Sequence, residues 1–431
     1  MKGEPVAPGR VPGERHVMGV TPVGRRGDRG TSRESLSGFV EHLTGGEADD
    51  IPPPMAPQSQ PTAVAPSPDA ADEPQTPYVL IDREVMSANI RRLADYAGEH
   101  SIGLRPHAKT HKSLDVAGLQ LSHGAIGLTV AKVSEAEVFA ELCPDLLLAY
   151  PVVDPGRARR VAALASRVDI KVAVDSGFAA QTLSDACRAA GVSVGVLVDL
   201  DVGPHRTGVA TPAEALELAR AFDRLPGLAF RGIFAYPGHI WSPKDRQEPE
   251  LRRVADQLQM LIDRCRDAGL DVGIVSGGST PTAFQSHLVP QCTEIRPGTY
   301  PFNDINTVRG GFCELADCAA TVVATVVSDA VAGQVVIDAG SKTLTSDRCV
   351  PDPECGHGYV VEYPQARVAK LSEEHGQVDV RDCPTRPKIG DRLSIIPNHI
   401  CPCVNLQDRV WWRVAGGACL PMAVHARGRL S

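Results

Sequence analysis

No run of about 18 consecutive apolar residues interrupts the 431-residue chain, so no membrane-spanning helix is expected. Aromatic residues make up only 4% of the sequence, too few for a platform on which bases would stack. Basic residues are outnumbered as well: the formal net charge is -8, which argues against nucleic acid as a partner. No Cys-x-x-Cys pair occurs among the twelve cysteines, and no compact disulfide framework. Scattered thiols in a long chain fit a reducing compartment, so the cytoplasm is the expected location. Also missing is the Gly-x-Gly-x-x-Gly fingerprint of a doubly wound dinucleotide fold. What is left is a chain with 43% hydrophobic residues, enough for two sizeable cores.

Residues 1–75 read differently from the rest. An Arg/Gly-rich start gives way to "MAPQSQPTAVAPSPDAADEPQTP", a composition that buries too little apolar surface to fold. A disordered extension is therefore expected. The Arg25–Arg26 pair is not followed by an apolar segment, so no export signal is expected from it.

From Tyr78 onward the pattern is regular. "YVLID" reads as a short strand, and "REVMSANIRRLADYAGEH" carries apolar residues at helical spacing. Eight further strands are expected in "GLRPHAK", "AIGLTVA", "LLLAYPVV", "IKVAVDS", "SVGVLVDLDVG", "FRGIFAYPGH", "VGIVSGGS" and "TEIRPGTY", with amphipathic helices between most of them. Alternation of this kind predicts an α/β fold, a (β/α)8 barrel over residues 76–314, with a doubly wound sheet as the alternative. Over residues 315–431 the period changes to two. "ATVVATVVSD", "GQVVIDAGSK", "YVVEYP", "ARVAKLSEEHGQVDV", "DRLSIIPNHICPCVNL" and "RVWWRVAGG" predict an all-β domain completed by the "YVLID" strand.

Chemistry-bearing residues fall at the C-terminal ends of the barrel strands, where barrel active sites gather. "GLRPHAKTHK" ends the first strand with five basic side chains. A solvated basic loop is the plain reading. A lysine at a strand end beside other cations, which lower an amine's pKa, is also what a Schiff-base lysine requires. His205 and Arg206 follow the fifth strand, and Tyr236 and His239 the sixth. "SGGSTP" follows the seventh, and "RPGTY" lies in the eighth. Each alone is commonly structural, and "SGGS" is also a tight turn. Together they place an amine opposite a glycine-rich anion cradle, an arrangement that suits pyridoxal 5′-phosphate.

The ordered set "RPHAKTHK", "VDVGPHRTGV", "YPGH", "SGGSTPT", "EIRPGTYPFND" and "PNHICPCVNL" resembles the fold-type III pyridoxal enzymes, in particular the metal-activated D-threonine aldolase and D-serine dehydratase family. The resemblance covers about residues 76–425. It implies an alanine-racemase-like barrel plus β-domain, usually a homodimer. It places the cofactor on Lys109, with Lys112 outside the Schiff base. It implies phosphate contacts from Ser276, Gly277, Gly278, Ser279, Thr280, Gly298 and Thr299. Arg206 resembles the arginine beside the cofactor's ring oxygen, Arg296 the one facing its pyridine nitrogen, and Tyr236 joins the cofactor wall. Lys109 and His239 are the expected catalytic residues. "LTVAKVSEAE" at the second strand departs from the family pattern, which leaves its contact with the cofactor open.

His399 and Cys401, expected two apart on one strand face with Cys403 pointing away, form an imidazole–thiolate pair of the kind zinc prefers, with Mn2+ and Mg2+ as alternatives. In the family, a His and an Asp or Cys at this spacing hold the catalytic metal. The expected substrate is a D-configured β-hydroxy amino acid. In the dehydratase route Lys109 removes the Cα proton, the metal assists loss of the β-hydroxide, and a 2-oxo acid and ammonia result. In the aldolase route the Cα–Cβ bond breaks to give glycine and an aldehyde. Cys401 favours the dehydratase branch. A racemase and a non-catalytic pyridoxal carrier are the remaining alternatives.

Overall fold

A computed structural model describes residues 74–431 of the protein. The expectations for an extension over residues 1–75, with its Arg25–Arg26 pair, fall almost wholly outside the described residues.

Eight parallel strands form the first sheet: β2 (Gly103–Leu104), β3 (Leu128–Val130), β4 (Asp145–Leu148), β5 (Asp169–Val174), β6 (Val194–Leu200), β7 (Leu228–Ala235), β8 (Ile274–Gly277) and β9 (Glu294–Ile295), preceded in the chain by β1 (Tyr78–Asp82). The order β2-β9-β8-β7-β6-β5-β4-β3 has no reversal. A bridge between His107 and Thr129 joins the two ends, with Thr129 N–H donating to Pro106 O and Ala108 N–H to Thr129 O, both at 2.8 Å. Closure rules out the doubly wound alternative. Local chemistry sets the helices around the barrel. In Pro212–Arg224, for example, Thr211 accepts from Glu214 N–H while the Glu214 carboxylate accepts from Thr211 N–H, and Pro212 opens the first turn. Ala215, Leu216, Leu218, Ala219 and Phe222 then make its buried stripe against the sheet.

The second sheet contains β10 (Ala320–Ser328), β11 (Gln334–Ile337), β12 (Tyr359–Val360), β13 (Arg367–Leu371), β14 (Gly376–Asp379), β15 (Arg392–Ile396), β16 (Arg409–Arg413) and β17 (Cys419–Ala423). Its order is β11-β14-β13-β12-β15-β10-β1-β16-β17, and a further β10–β11 pairing curls six of these strands into a small barrel. β1 lies between β10 and β16, so the strand that precedes the large barrel belongs to the β-domain. Val79 and Ile81 are fully buried there, as the alternation of "YVLID" requires.

One expectation is corrected. "ICPCVN" is not strand: β15 ends at Ile396, and Ile400–Asn405 is a short helix with His399 at its N-cap. Among the described residues no helix is long and apolar enough to cross a membrane.

Candidate active site

A cavity of 510 Å3 opens at the C-terminal ends of the barrel strands and reaches the β-domain, whose His399 and Cys401 line one wall. Lys109 projects into it from the loop after β2. The other cations of that loop are committed elsewhere. Arg105 points into the barrel, where Nε sits 2.9 Å from Glu294 and Nη1 2.6 Å from Asp145. Lys112 is buried in an ion pair with Glu135 at 3.0 Å. His107 lines the cavity beside Lys109, and burial, with Lys109 and Arg296 nearby, holds its imidazole neutral, well below the usual range. A segment uniformly basic in sequence thus offers the cavity one primary amine.

Opposite lies the cradle. Ser279, Thr280, Gly298 and Thr299 line the cavity. Thr280 Oγ1 accepts from Gly298 N–H at 3.2 Å and Thr299 N–H at 3.1 Å, which draws the β8 and β9 loops together. A Cβ on Gly298 would sit 3.1 Å from Thr110 Oγ1 and 3.3 Å from His107, so glycine is what lets these loops touch. Three predicted contacts stand behind this surface. Ser276 Oγ donates to Glu294 at 2.6 Å, Gly277 packs on Cys292, and Gly278 supplies a positive φ of 76° at the turn.

Arg206 and Arg296 both line the cavity. Arg206 stacks 4.7 Å from the Tyr236 ring centroid, so Tyr236 is in the wall through this contact. Arg296 is buried, lies 3.7 Å over Phe234 and donates from Nη2 to Ala235 O at 2.8 Å. Its Nη1 has no partner, and burial lowers its pKa to about 10. A buried guanidinium N–H left unpaired is costly. A ring-nitrogen acceptor in the cavity would satisfy it, and the Ser279, Thr280 and Thr299 hydroxyls across the cavity suit a phosphate. The residues present therefore fit pyridoxal 5′-phosphate.

At the β-domain wall, Cys401 Sγ donates to Thr110 Oγ1 at 3.2 Å, directly beside Lys109 in the chain. His399 Nδ1 lies 2.8 Å from Asp347 Oδ2. Burial works against charge on both His399 and Cys401. The pair nevertheless overcomes it: Cys401, Asp304 and Asp347 raise His399 to about 9, while His399 and Lys109 draw the Cys401 thiol down. Mutual stabilisation of imidazole and thiolate is the donor chemistry of a soft metal site. The two side chains converge because a helix starts between them, not because a strand alternates. In a strand, Cys403 would share their face; here it is one turn further on, buried, with Sγ 3.4 Å from Leu344 O and from His399 O. No group of three or more His, Cys, Asp or Glu side chains among the described residues is arranged to hold a metal, so remaining ligands would be solvent or substrate.

His239 is not brought to this cavity. Its ring lies against Gly203 in a separate surface pocket with Asp201, His205 and Arg253. Sequence reasoning missed His107, Asp199, Asp304 and Asp347. Asp199 lines the cavity at the end of β6, and burial raises it to about 6. Asp304 is fully enclosed, raised by burial, and accepts from Ile400 N–H at 3.2 Å, tying the barrel to the helix Ile400–Asn405. Its signal was within "YPFND". Asp347 sits in an irregular loop with no local signal.

The chain matches the family model described as "Alanine racemase, N-terminal domain" over residues 81–304, and a serine dehydratase domain model over residues 319–412. It is 33% identical to a D-threonine aldolase of Arthrobacter sp over 77% of this chain and 87% of that one. It is 34% identical to a D-threo-3-hydroxyaspartate dehydratase of Delftia sp. over 76% of this chain and 90% of that one. Among solved structures, a D-threonine aldolase from Filomicrobium marinum superposes with a TM-score of 0.76 at 30% identity, covering 83% of this chain and 97% of that one. A cysteine-to-alanine mutant of a D-threo-3-hydroxyaspartate dehydratase, described as the metal-free form, superposes with a TM-score of 0.74 at 29% identity, covering 81% and 97%. The chain belongs to the alanine-racemase-like, fold-type III pyridoxal-phosphate enzymes, in the group of the D-threonine aldolases and D-serine dehydratases.

Proposed function

We propose that the chain is a pyridoxal-phosphate- and divalent-metal-dependent lyase acting on a D-configured β-hydroxy amino acid, by dehydration and deamination to a 2-oxo acid and ammonia. The observation that carries this reading is that one cavity holds Lys109, a phosphate cradle and the His399–Cys401 pair, with Cys401 hydrogen-bonded to the residue next to Lys109. The cofactor would supply an electron sink for a carbanion at Cα, and the metal Lewis acidity toward the β-hydroxyl. Lys109 would hold the cofactor's aldehyde carbon and, once the substrate's amine has displaced it, its freed Nζ would take the Cα proton. Ser279, Thr280, Gly298 and Thr299 would anchor the phosphate, Arg296 would meet the ring nitrogen, and Arg206 with Tyr236 would hold the ring edge. Asp347, 2.8 Å from His399 Nδ1, would accept its N–H and so leave Nε2 to a metal. Thiolate beside imidazole supports zinc, with Mn2+ or Mg2+ as alternatives. Cys401 favours dehydration; retro-aldol cleavage to glycine and an aldehyde is the alternative. The reading includes a homodimer, a cytoplasmic location in keeping with free cysteines, and a division into a barrel (76–314) and a β-domain (315–431) that also takes in Tyr78–Asp82.

Product analysis tests it. Cofactor-loaded protein is incubated with D- and L-threonine and with D- and L-serine. Oxo acid and ammonia from the D-isomers alone are expected, and none from Lys109→Ala. Glycine plus aldehyde selects the aldolase alternative, and racemised amino acid as the sole product overturns both.

A further inference from the structure

Lys109 is exposed in the cavity, so its placement depends on the backbone that carries it. That backbone is held from an unexpected side. Lys112 adopts a φ of 50°, a left-handed conformation that a side-chain-bearing residue takes only when its surroundings impose it. Its ammonium, 5% exposed, meets Glu135, 1% exposed, at 3.0 Å. The second oxygen of Glu135 accepts from Ala131 N–H at 2.6 Å, and Ala131 is in the cavity wall at the end of β3. One buried carboxylate therefore ties together the loops that follow the first two barrel strands. A segment after β17 completes the clamp. Ala426 N–H donates to Lys112 O at 2.9 Å, and Leu114 N–H donates to His425 Nδ1 at 3.2 Å.

We propose that Lys112 and Glu135, braced by His425 and Ala426, are positioning residues that set the Lys109 amine against the cofactor site. The second lysine of "HAKTHK" is then neither redundant nor a solvated charge. The "KVSEAE" segment, which departs from the family pattern at the second strand, acts on the cofactor through Glu135 and Lys109 rather than by direct contact. A buried ion pair contributes little net stability over a neutral replacement of similar shape, although removing one partner alone strands a charge. The neutral double variant Lys112→Met/Glu135→Gln therefore separates position from stability.

The inference rests on Lys109 as the cofactor lysine, and the test distinguishes the two. Full-length protein depleted of cofactor is mixed with pyridoxal 5′-phosphate, trapped with borohydride at timed intervals and mapped by peptide mass spectrometry. Wild type should be labelled at Lys109. The double variant should melt near the wild-type temperature yet label Lys109 on the order of tenfold more slowly, since small misplacements of a reacting group have large rate effects. Labelling of Lys109 at the wild-type rate in the double variant overturns the inference alone. Wild-type labelling at another lysine overturns the cofactor placement and this inference with it. If the double variant does not fold, His425→Ala, a change at an exposed side chain, serves instead: slowing by about threefold is expected, and no slowing overturns the clamp.

Discussion

Cys401 and Cys403 are two residues apart and face different chemistry. Cys401 is drawn toward thiolate by His399, whereas burial raises Cys403 well above the ordinary thiol range. Cys401→Asp should keep a bound metal but shift preference from zinc toward manganese, because a carboxylate is the harder donor; metal titrations with both ions measure this. Cys403→Ala should leave metal affinity unchanged and lower stability by about 1 kcal/mol, the cost of a small buried void. Asp199 gives a pH signature. Its folded pKa is raised from 3.8 to about 6, so its contribution to stability is full below 3.8 and is lost as pH rises through about 6. Asp199→Asn removes that loss. In cofactor-free protein, urea unfolding should show the variant gaining on wild type between pH 4 and pH 8, by at most about 3 kcal/mol. A difference that does not change with pH would contradict the assignment of burial as the cause.

Among the elements, β1 carries the sharpest consequence of topology. It is hydrogen-bonded to β10 and β16 on its two edges and buries Tyr78, Val79, Leu80 and Ile81. Thr76 Oγ1 adds a bond to Asp338 at 2.7 Å. A chain beginning at Gln75 keeps all of these contacts and should retain turnover and melting temperature. A chain beginning at Arg83 leaves two strand edges open and should lose cooperative unfolding, which calorimetry would reveal. The barrel was legible in sequence because its strands are continuous apolar runs, buried on both faces, separated by helical periods. The helix at Ile400–Asn405 was not. Six residues are too few to establish a helical period, Pro402 sits in the first turn, and the preceding β15 invites the strand to be extended through "PNHICPCVNL". The consequence reached the site: His399 and Cys401 were paired by a strand alternation that the backbone does not show.

For the whole molecule, the site was legible where its groups lie at strand ends and illegible where long-range packing decides. Lys109, Ser279, Thr280, Arg206 and Arg296 share a cavity because the barrel closes, and any sequence that predicts the barrel predicts their approach. His239 sits at an equally regular position, yet the loop after β7 turns its ring toward Gly203 and away from Lys109. Asp347 reaches His399 only through the path of an irregular loop in the β-domain. At the cavity, the β-domain reaches the lysine loop of the barrel where Thr110 touches Cys401, and the account depends on metal and cofactor acting together there. The most direct measurement is the turnover of a D-β-hydroxy amino acid by protein stripped of metal with a chelator, with metal content verified and cofactor absorbance recorded. The account predicts that the cofactor band stays, that turnover falls by on the order of 100-fold or more, and that a divalent metal restores it. Full turnover by the verified metal-free protein would contradict it.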